Sequence, residues 1–250
     1  MKNLLIYVNP YGFDAESSKF IKIQIENSLE LGWKPEDIVL VMDFPYEYNG
    51  VKATVVTKGY CPIKKEASKI TTIVHLFDIG FFEENTIYWS HDLDAYQLEP
   101  ITESELELEG VDLGLTDYGR KPNWQMGSFF FKKSAEDIFR AIAARIAPGL
   151  DENRRERHDE TAIQYLTDND IGNINARIKR LNNTYNFGMR RIALCYERAI
   201  KPLRVLHFHP FHPRNKGLDT LGIALHGKNS LNFPLMNERL IKIFNHYGYS

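Results

Sequence analysis

Asn85-Thr86-Ile87-Tyr88-Trp89-Ser90-His91-Asp92-Leu93-Asp94 is the stretch on which the fold turns. Residues 86–89 are β-branched or aromatic, which marks a strand interior. The strand runs out into two carboxylates one residue apart. Alternate side chains of an extended chain share a face, so Asp92 and Asp94 are expected side by side at a strand-to-loop junction. Two hard oxygen ligands held that way suit Mg²⁺ or Mn²⁺, ions that commonly also carry a substrate's phosphates. Aspartate is common in plain polar turns as well, so the pattern takes its meaning from the rest of the chain.

Strand and helix signals alternate on either side of it. Leu4–Val8 reads as a buried strand, Asp14 is placed to cap a helix reaching about Leu31 with Gly32 as its stop, and Ile38–Met42 reads as a second buried strand. The β-branched runs Val51–Val56 and Thr72–Leu76 read as strands, as do Leu113–Thr116, Ser128–Lys132 and Arg204–Phe208. Ser134 caps a helix from Ala135 to about Ala147, stopped by Pro148-Gly149, and Thr161–Leu166 and Glu238–Phe244 read as helical. This rhythm predicts an α/β fold with a mainly parallel central sheet and helices on both faces. Ligands of such sheets sit beyond the carboxyl ends of the strands, at a switch point. Asn9, Asp43 and the Asp92-Asp94 pair all fall at such ends.

The totals set bounds. A chain of 250 residues with 43% apolar, 26% charged and 12% aromatic residues can bury a substantial core as one α/β domain or two small ones. No apolar run reaches the length of a membrane span. Cys61 and Cys195 make neither a disulfide framework nor a metal spacing, which fits a reducing compartment and a soluble cytoplasmic protein. The net charge of −2 hides an asymmetry: residues 1–176 hold 18 basic and 30 acidic residues, residues 177–250 hold 13 and 3. Either the basic part meets an anionic partner, or it docks on the acidic part.

A metal needs more than two ligands. His207-Phe208-His209-Pro210-Phe211-His212-Pro213 follows the apolar pair Val205-Leu206, and neutral imidazole is a good ligand for borderline ions such as Mn²⁺ or Zn²⁺. Asn123-Trp124-Gln125-Met126-Gly127-Ser128 leads into Phe129-Phe130-Phe131; its small and polar groups suit the wall of a sugar or acceptor pocket, or else an ordinary loop feeding a buried strand. His158-Asp159-Glu160-Thr161 precedes an apolar helical segment. Asp159 is there either a helix cap or a carboxylate that meets an acceptor hydroxyl as a base.

The order of these pieces resembles the GT-A glycosyltransferases, nearest the glycogenin and bacterial galactosyltransferase-like group, over roughly residues 4–215. The resemblance implies one GT-A domain over residues 1–250. Its nucleotide-sugar part spans about 1–100, and its acceptor-side and basic part about 101–250. It implies Mn²⁺ or Mg²⁺ held by Asp92 and Asp94 with His207 or His209, bridging the diphosphate of a donor for which a UDP-sugar is the first choice. Asn9, Tyr11, Asp43 and His91 are then expected near the donor, with Gly127 and Ser128 lining the sugar pocket. Asp159 and Glu160 take the acceptor-side catalytic position. Family members often follow the late His-Phe with a Gly and a Lys-Pro-Trp phosphate clamp; here Arg214 or Lys216 is the substitute.

The expected function is metal-dependent transfer of a sugar to a hydroxyl acceptor, a glycan or other carbohydrate. Two other readings use the same residues. Ten basic residues in 177–216, with Tyr185, Phe187 and Tyr196 among them, suit an acceptor in DNA, such as a modified base in viral DNA. A nucleotidyltransferase or metal-dependent phosphohydrolase needs a phosphate cradle after the first strand, and Asn9-Pro10-Tyr11-Gly12-Phe13 makes a poor one.

Overall fold

In the computed structural model, which describes residues 1–62, 65–117, 123–151, 158–188, 192–208, 220–227 and 231–249, β1 (Lys2–Tyr7) lies inside a seven-stranded sheet. The helix α1 (Ala15–Glu30) carries the chain to β2 (Ile38–Met42). Next come a hairpin of β3 (Glu47–Tyr48) and β4 (Val51–Lys52), the short β5 (Thr54–Val55) and the helix α2 (Ser68–Asp78). Then β6 (Tyr88–His91), β7 (Ala95–Gln97), α3 (Glu103–Leu106), β8 (Leu113–Asp117) and β9 (Trp124–Phe131) lead to α4 (Glu136–Asp151) and α5 (Asp159–Asp168). The C-terminal part holds β10 (Ile178–Arg180), β11 (Phe187–Gly188), α6 (Ile192–Arg198), β12 (Val205–His207), α7 (Thr220–His226) and α8 (Glu238–His246).

The main sheet has the order β10-β8-β9-β6-β1-β2-β5, and every pairing is parallel except the two made by β9. The chain leaves β1 for β2 on one side and returns through α2 to β6 on the other. The carboxyl ends of β1 and β6 therefore flank the switch point. A small second sheet, β11-β12-β7, stands beside it. Helix α1 links the two. Its Ile21 and Ile25 pack with Leu5, Leu40 and Met42, while Phe20 and Ile23 pack with Tyr96, Leu206, Phe208 and Phe244. Helices α2, α4 and α5 cover the opposite face of the main sheet through Ile70, Ile73, Phe139, Ile142 and Ile163. Each such buried side chain is worth about 1.5–3 kcal/mol relative to exposure.

Two strand readings of the chain differ from the fold. Residues 72–76, expected as a strand, lie in α2. The β-branched run conceals a helical face: Ser68, Ile70, Thr72, Ile73, Leu76 and Phe77 are its buried residues. Thr71 Oγ1 donates to the Gly59 carbonyl of the preceding loop, with the Ala67 and Ser68 carbonyls of its own helix at 3.2 and 3.1 Å. Residues 51–56 form two short strands in different sheets. Asn49-Gly50, both at positive φ, make the two-residue turn that folds Val51-Lys52 back on Glu47-Tyr48. Asp14 accepts from the Glu16 and Ser17 amides as the cap of α1, and α4 runs on past Pro148-Gly149 to Asp151.

Candidate metal and active site

Strand pairing brings the distant ligands together. Asp92 follows β6, and its N–H donates to the Gly127 carbonyl of β9 at 2.8 Å. Its own carbonyl accepts from the Ala95 N–H at 3.0 Å, closing a tight turn over Leu93 and Asp94. The chain then enters β7, which pairs antiparallel with β12 in a register that sets Ala95 opposite His207. The Phe208 N–H donates to the Asp94 carbonyl at 3.2 Å, fixing the same junction from the other strand. His207 thus stands beside Asp94 because β7 begins one residue after it.

The outcome is a compact donor set. Ligand atoms of Asp92, Asp94 and His207 all lie within 4.8 Å of one another. His207 Nε2 is 3.2 Å from Asp94 Oδ1 and 3.7 Å from Asp92 Oδ2. On its far side His207 Nδ1 is 3.1 Å from Asn186 Oδ1, which can only accept. With Nδ1–H donating to that oxygen, Nε2 is the ring nitrogen that faces the two carboxylates. Such a convergence asks for positive charge. With no ion present, burial works to lower the His207 pKa, but the Asp94 and Asp92 carboxylates outweigh it and raise it. Two carboxylates and an imidazole fit Mn²⁺ or Mg²⁺.

Gly127 makes the approach possible. A Cβ built on it would lie 2.2 Å from His207 Cε1 and 3.3 Å from Asp92 Oδ2, so only glycine leaves room for the imidazole. It is the floor beneath His207.

Lys69, from α2, was not singled out in the sequence and lies at the centre. Its Nζ donates to Asp92 Oδ1 at 2.7 Å and also to the Met126 carbonyl, and stands 3.6 Å from Asp159 Oδ2. Burial opposes the ammonium, but Asp92 and Asp159 hold it charged, with its pKa above the usual lysine range. Nothing local in the sequence marks it: it stands three residues ahead of the Thr72–Leu76 run, with no motif around it. Asn186 was equally silent, being one asparagine of a polar turn.

Asp159 is the first residue of α5; His158 occupies the cap position. Burial would raise the Asp159 pKa, yet Lys69 and His158 bring it below the ordinary value. Glu160 moves the other way, raised first by burial and then by Asp159. Its Oε1 accepts from the Met126 N–H at 3.4 Å, which ties it to the same segment of β9. Two adjacent carboxylates thus have pKa values pushed apart.

On the donor-side edge, the Asn9 N–H donates to Asp43 Oδ1 at 3.0 Å, joining the ends of β1 and β2. Tyr11 is 82% exposed, its ring edge-on to Tyr60 at 6.1 Å. Two residues expected around the donor turn inward instead. Ser128 is fully buried and accepts from the Trp89 indole N–H at 2.9 Å. His91 is buried and stacked on Trp89 with ring centroids 3.9 Å apart, and burial pushes its pKa down to about 3. Alternation explains both: the neighbours of Gly127 and Asp92 must face the other side of their strands. His209, Arg214 and Lys216 lie outside the described residues.

Solved structures share this architecture. The galactosyltransferase LgtC, crystallised with donor and acceptor sugar analogues, aligns over 98% of this chain and 96% of its own at a TM-score of 0.55 and 10% identity. The fold is GT-A. The glycosyltransferase GlyE of Streptococcus pneumoniae aligns over 85% of this chain and 57% of its own, at a TM-score of 0.56 and 13% identity. Mouse xyloside xylosyltransferase 1 aligns over 82% and 96%, at 0.50 and 13%. No family profile and no curated protein matches the sequence. Among the described residues of this GT-A chain, no helix is long and apolar enough to cross a membrane.

Proposed function

We propose that this chain is a metal-dependent glycosyltransferase that moves a sugar from a nucleotide-diphosphate sugar, a UDP-sugar first, to a hydroxyl of a carbohydrate acceptor. The observation that carries the reading is the Asp92, Asp94 and His207 cluster at the switch point of a GT-A sheet. The printed names of similar structures, a galactosyltransferase with sugar analogues and a xylosyltransferase, support the substrate class.

In the reaction the bond between the anomeric carbon and the donor's diphosphate oxygen breaks. The acceptor oxygen bonds to that carbon and gives up its proton. Asp92, Asp94 and His207 would hold Mn²⁺ or Mg²⁺, which would neutralise charge on the departing diphosphate. Lys69 adds a fixed ammonium a hydrogen bond away and keeps Asp159 ionised. Glu160, the more basic of the two carboxylates, takes the proton from the acceptor hydroxyl. Asn9, Tyr11 and Asp43 receive the nucleoside, Tyr11 offering an open ring face.

The test is a thermal-shift screen of nucleotide-sugars with and without Mn²⁺, followed by turnover of the donor found. A ligand that binds only the folded state raises the melting temperature. The cognate donor is expected to stabilise the protein only with metal present, and Asp94→Asn is expected to abolish both the shift and turnover while staying folded. Full donor turnover by Asp94→Asn would refute the assignment.

A further inference from the structure

A chain of buried polar side chains runs under the metal-binding turn and is not accounted for by donor or acceptor binding. Ser28 of α1, Asn3 of β1 and His91 of β6 are all buried. Asn3 Nδ2 donates to the Ser28 hydroxyl at 2.9 Å, Asn3 Oδ1 lies 2.8 Å from His91 Nε2, and His91 Nδ1 is 3.2 Å from the Asp92 carbonyl oxygen. A carbonyl oxygen only accepts, so the ring nitrogen facing it must carry the proton. A neutral imidazole then presents Nε2 as an acceptor. The Asn3 amide must then turn over, its NH₂ facing Nε2 and its oxygen accepting from the Ser28 hydroxyl; an amide can turn over and a hydroxyl can do either, whereas the carbonyl has no choice.

We propose that His91, as the neutral Nδ1–H tautomer, is a positioning residue that clamps the Asp92 carbonyl and so fixes the aim of the Asp92 carboxylate. Both peptide groups of Asp92 are then held. The N–H goes to the Gly127 carbonyl at 2.8 Å, and the carbonyl takes Ala95 N–H at 3.0 Å and His91 Nδ1–H. Trp89, stacked on the ring and bonded to Ser128, keeps the imidazole in plane. The inference rests on the metal reading of Asp92, and outer contacts of this kind commonly tune metal affinity by roughly 10–100-fold.

The test is Mn²⁺ binding followed by electron paramagnetic resonance of the free ion, on the full chain without nucleotide. His91→Leu is expected to weaken Mn²⁺ binding roughly tenfold or more. His91→Asn, whose amide nitrogen falls near the place of Nδ1, is expected to restore most of it. His91→Gln, which reaches toward Asn3 instead, is not. If the wild type binds Mn²⁺, Asp94→Asn loses it and folded His91→Leu binds as the wild type does, the role of His91 is overturned and the metal reading stands. If the wild type binds no Mn²⁺, both fall. Should His91→Leu fail to fold, nitrogen-15 spectra of the wild-type imidazole decide: a single Nδ1–H tautomer is expected, and an Nε2–H tautomer overturns the clamp.

Discussion

Gly127 makes the sharpest residue-scale demand. Its missing Cβ is the space that His207 occupies, so Gly127→Ala must drive the imidazole away from Asp92 and Asp94 or shift β9. The overpacking is expected to cost about 1–3 kcal/mol in chemical denaturation. A Mn²⁺ titration is expected to weaken roughly 10–100-fold, and unchanged affinity would mean that His207 is not a ligand. Glu160 makes a second demand. Burial and Asp159 hold its pKa above the ordinary 4.5, so the folded state binds this proton more tightly than the unfolded one. The sign follows: Glu160 penalises folding as the pH rises from 4.5 through its raised value, and the full penalty applies above that. Glu160→Gln is therefore expected to raise the melting temperature at pH 7 and to flatten its decline across that window. If Glu160 is the base, turnover is expected to drop by a factor on the order of 10²–10⁴ in the same variant. A more stable protein with undiminished turnover would remove Glu160 from the chemistry.

At the scale of elements, the parts legible in the sequence were those whose local chemistry and tertiary role agree. Asp14 caps α1 as its residue type suggests, with Ser17 N–H at 2.8 Å and Glu16 N–H at 3.1 Å. Asp14→Ala is expected to cost about 1 kcal/mol in urea unfolding, with the metal site untouched. The strand pair β1 and β2 and the Asp92-Asp94 junction were legible for the same reason: buried runs that end in polar residues mean one thing in both views. Helix α2 was not, because propensity pointed to a strand while packing chose a helix. Lys69, ahead of that run, carries no local signature either: its place between Asp92 and Asp159 is set by how α2 packs on the sheet. His91 and Ser128 were misjudged by one step of alternation. Being next to Asp92 and Gly127 in sequence puts them on the opposite side of the strand, where they build the support instead of the wall.

At the scale of the whole molecule, part of the charge asymmetry finds its partners inside the chain, among the described residues. Arg177 pairs with Asp112 and Asp137, Lys179 with Glu107, Arg180 with Asp117 and Arg204 with Glu105. The consequence these pairs share is electrostatic: each cation is cancelled by a carboxylate of the same chain. Four cations of the basic stretch are spent on carboxylates of the 105–137 region and are not free to release counterions from a phosphate backbone. This weighs against DNA as the acceptor. A fluorescently labelled duplex is expected to show no anisotropy change with this protein at low ionic strength. Tight binding that falls steeply as salt rises would mean that phosphates displace these internal carboxylates, and would return DNA to the acceptor question. The comparison must include Arg180→Ala. Its arginine is the most exposed of the four paired cations. If the duplex does bind, losing Arg180 is expected to reduce the salt slope by about one phosphate contact. An unaltered slope would locate the binding on other cations of the chain.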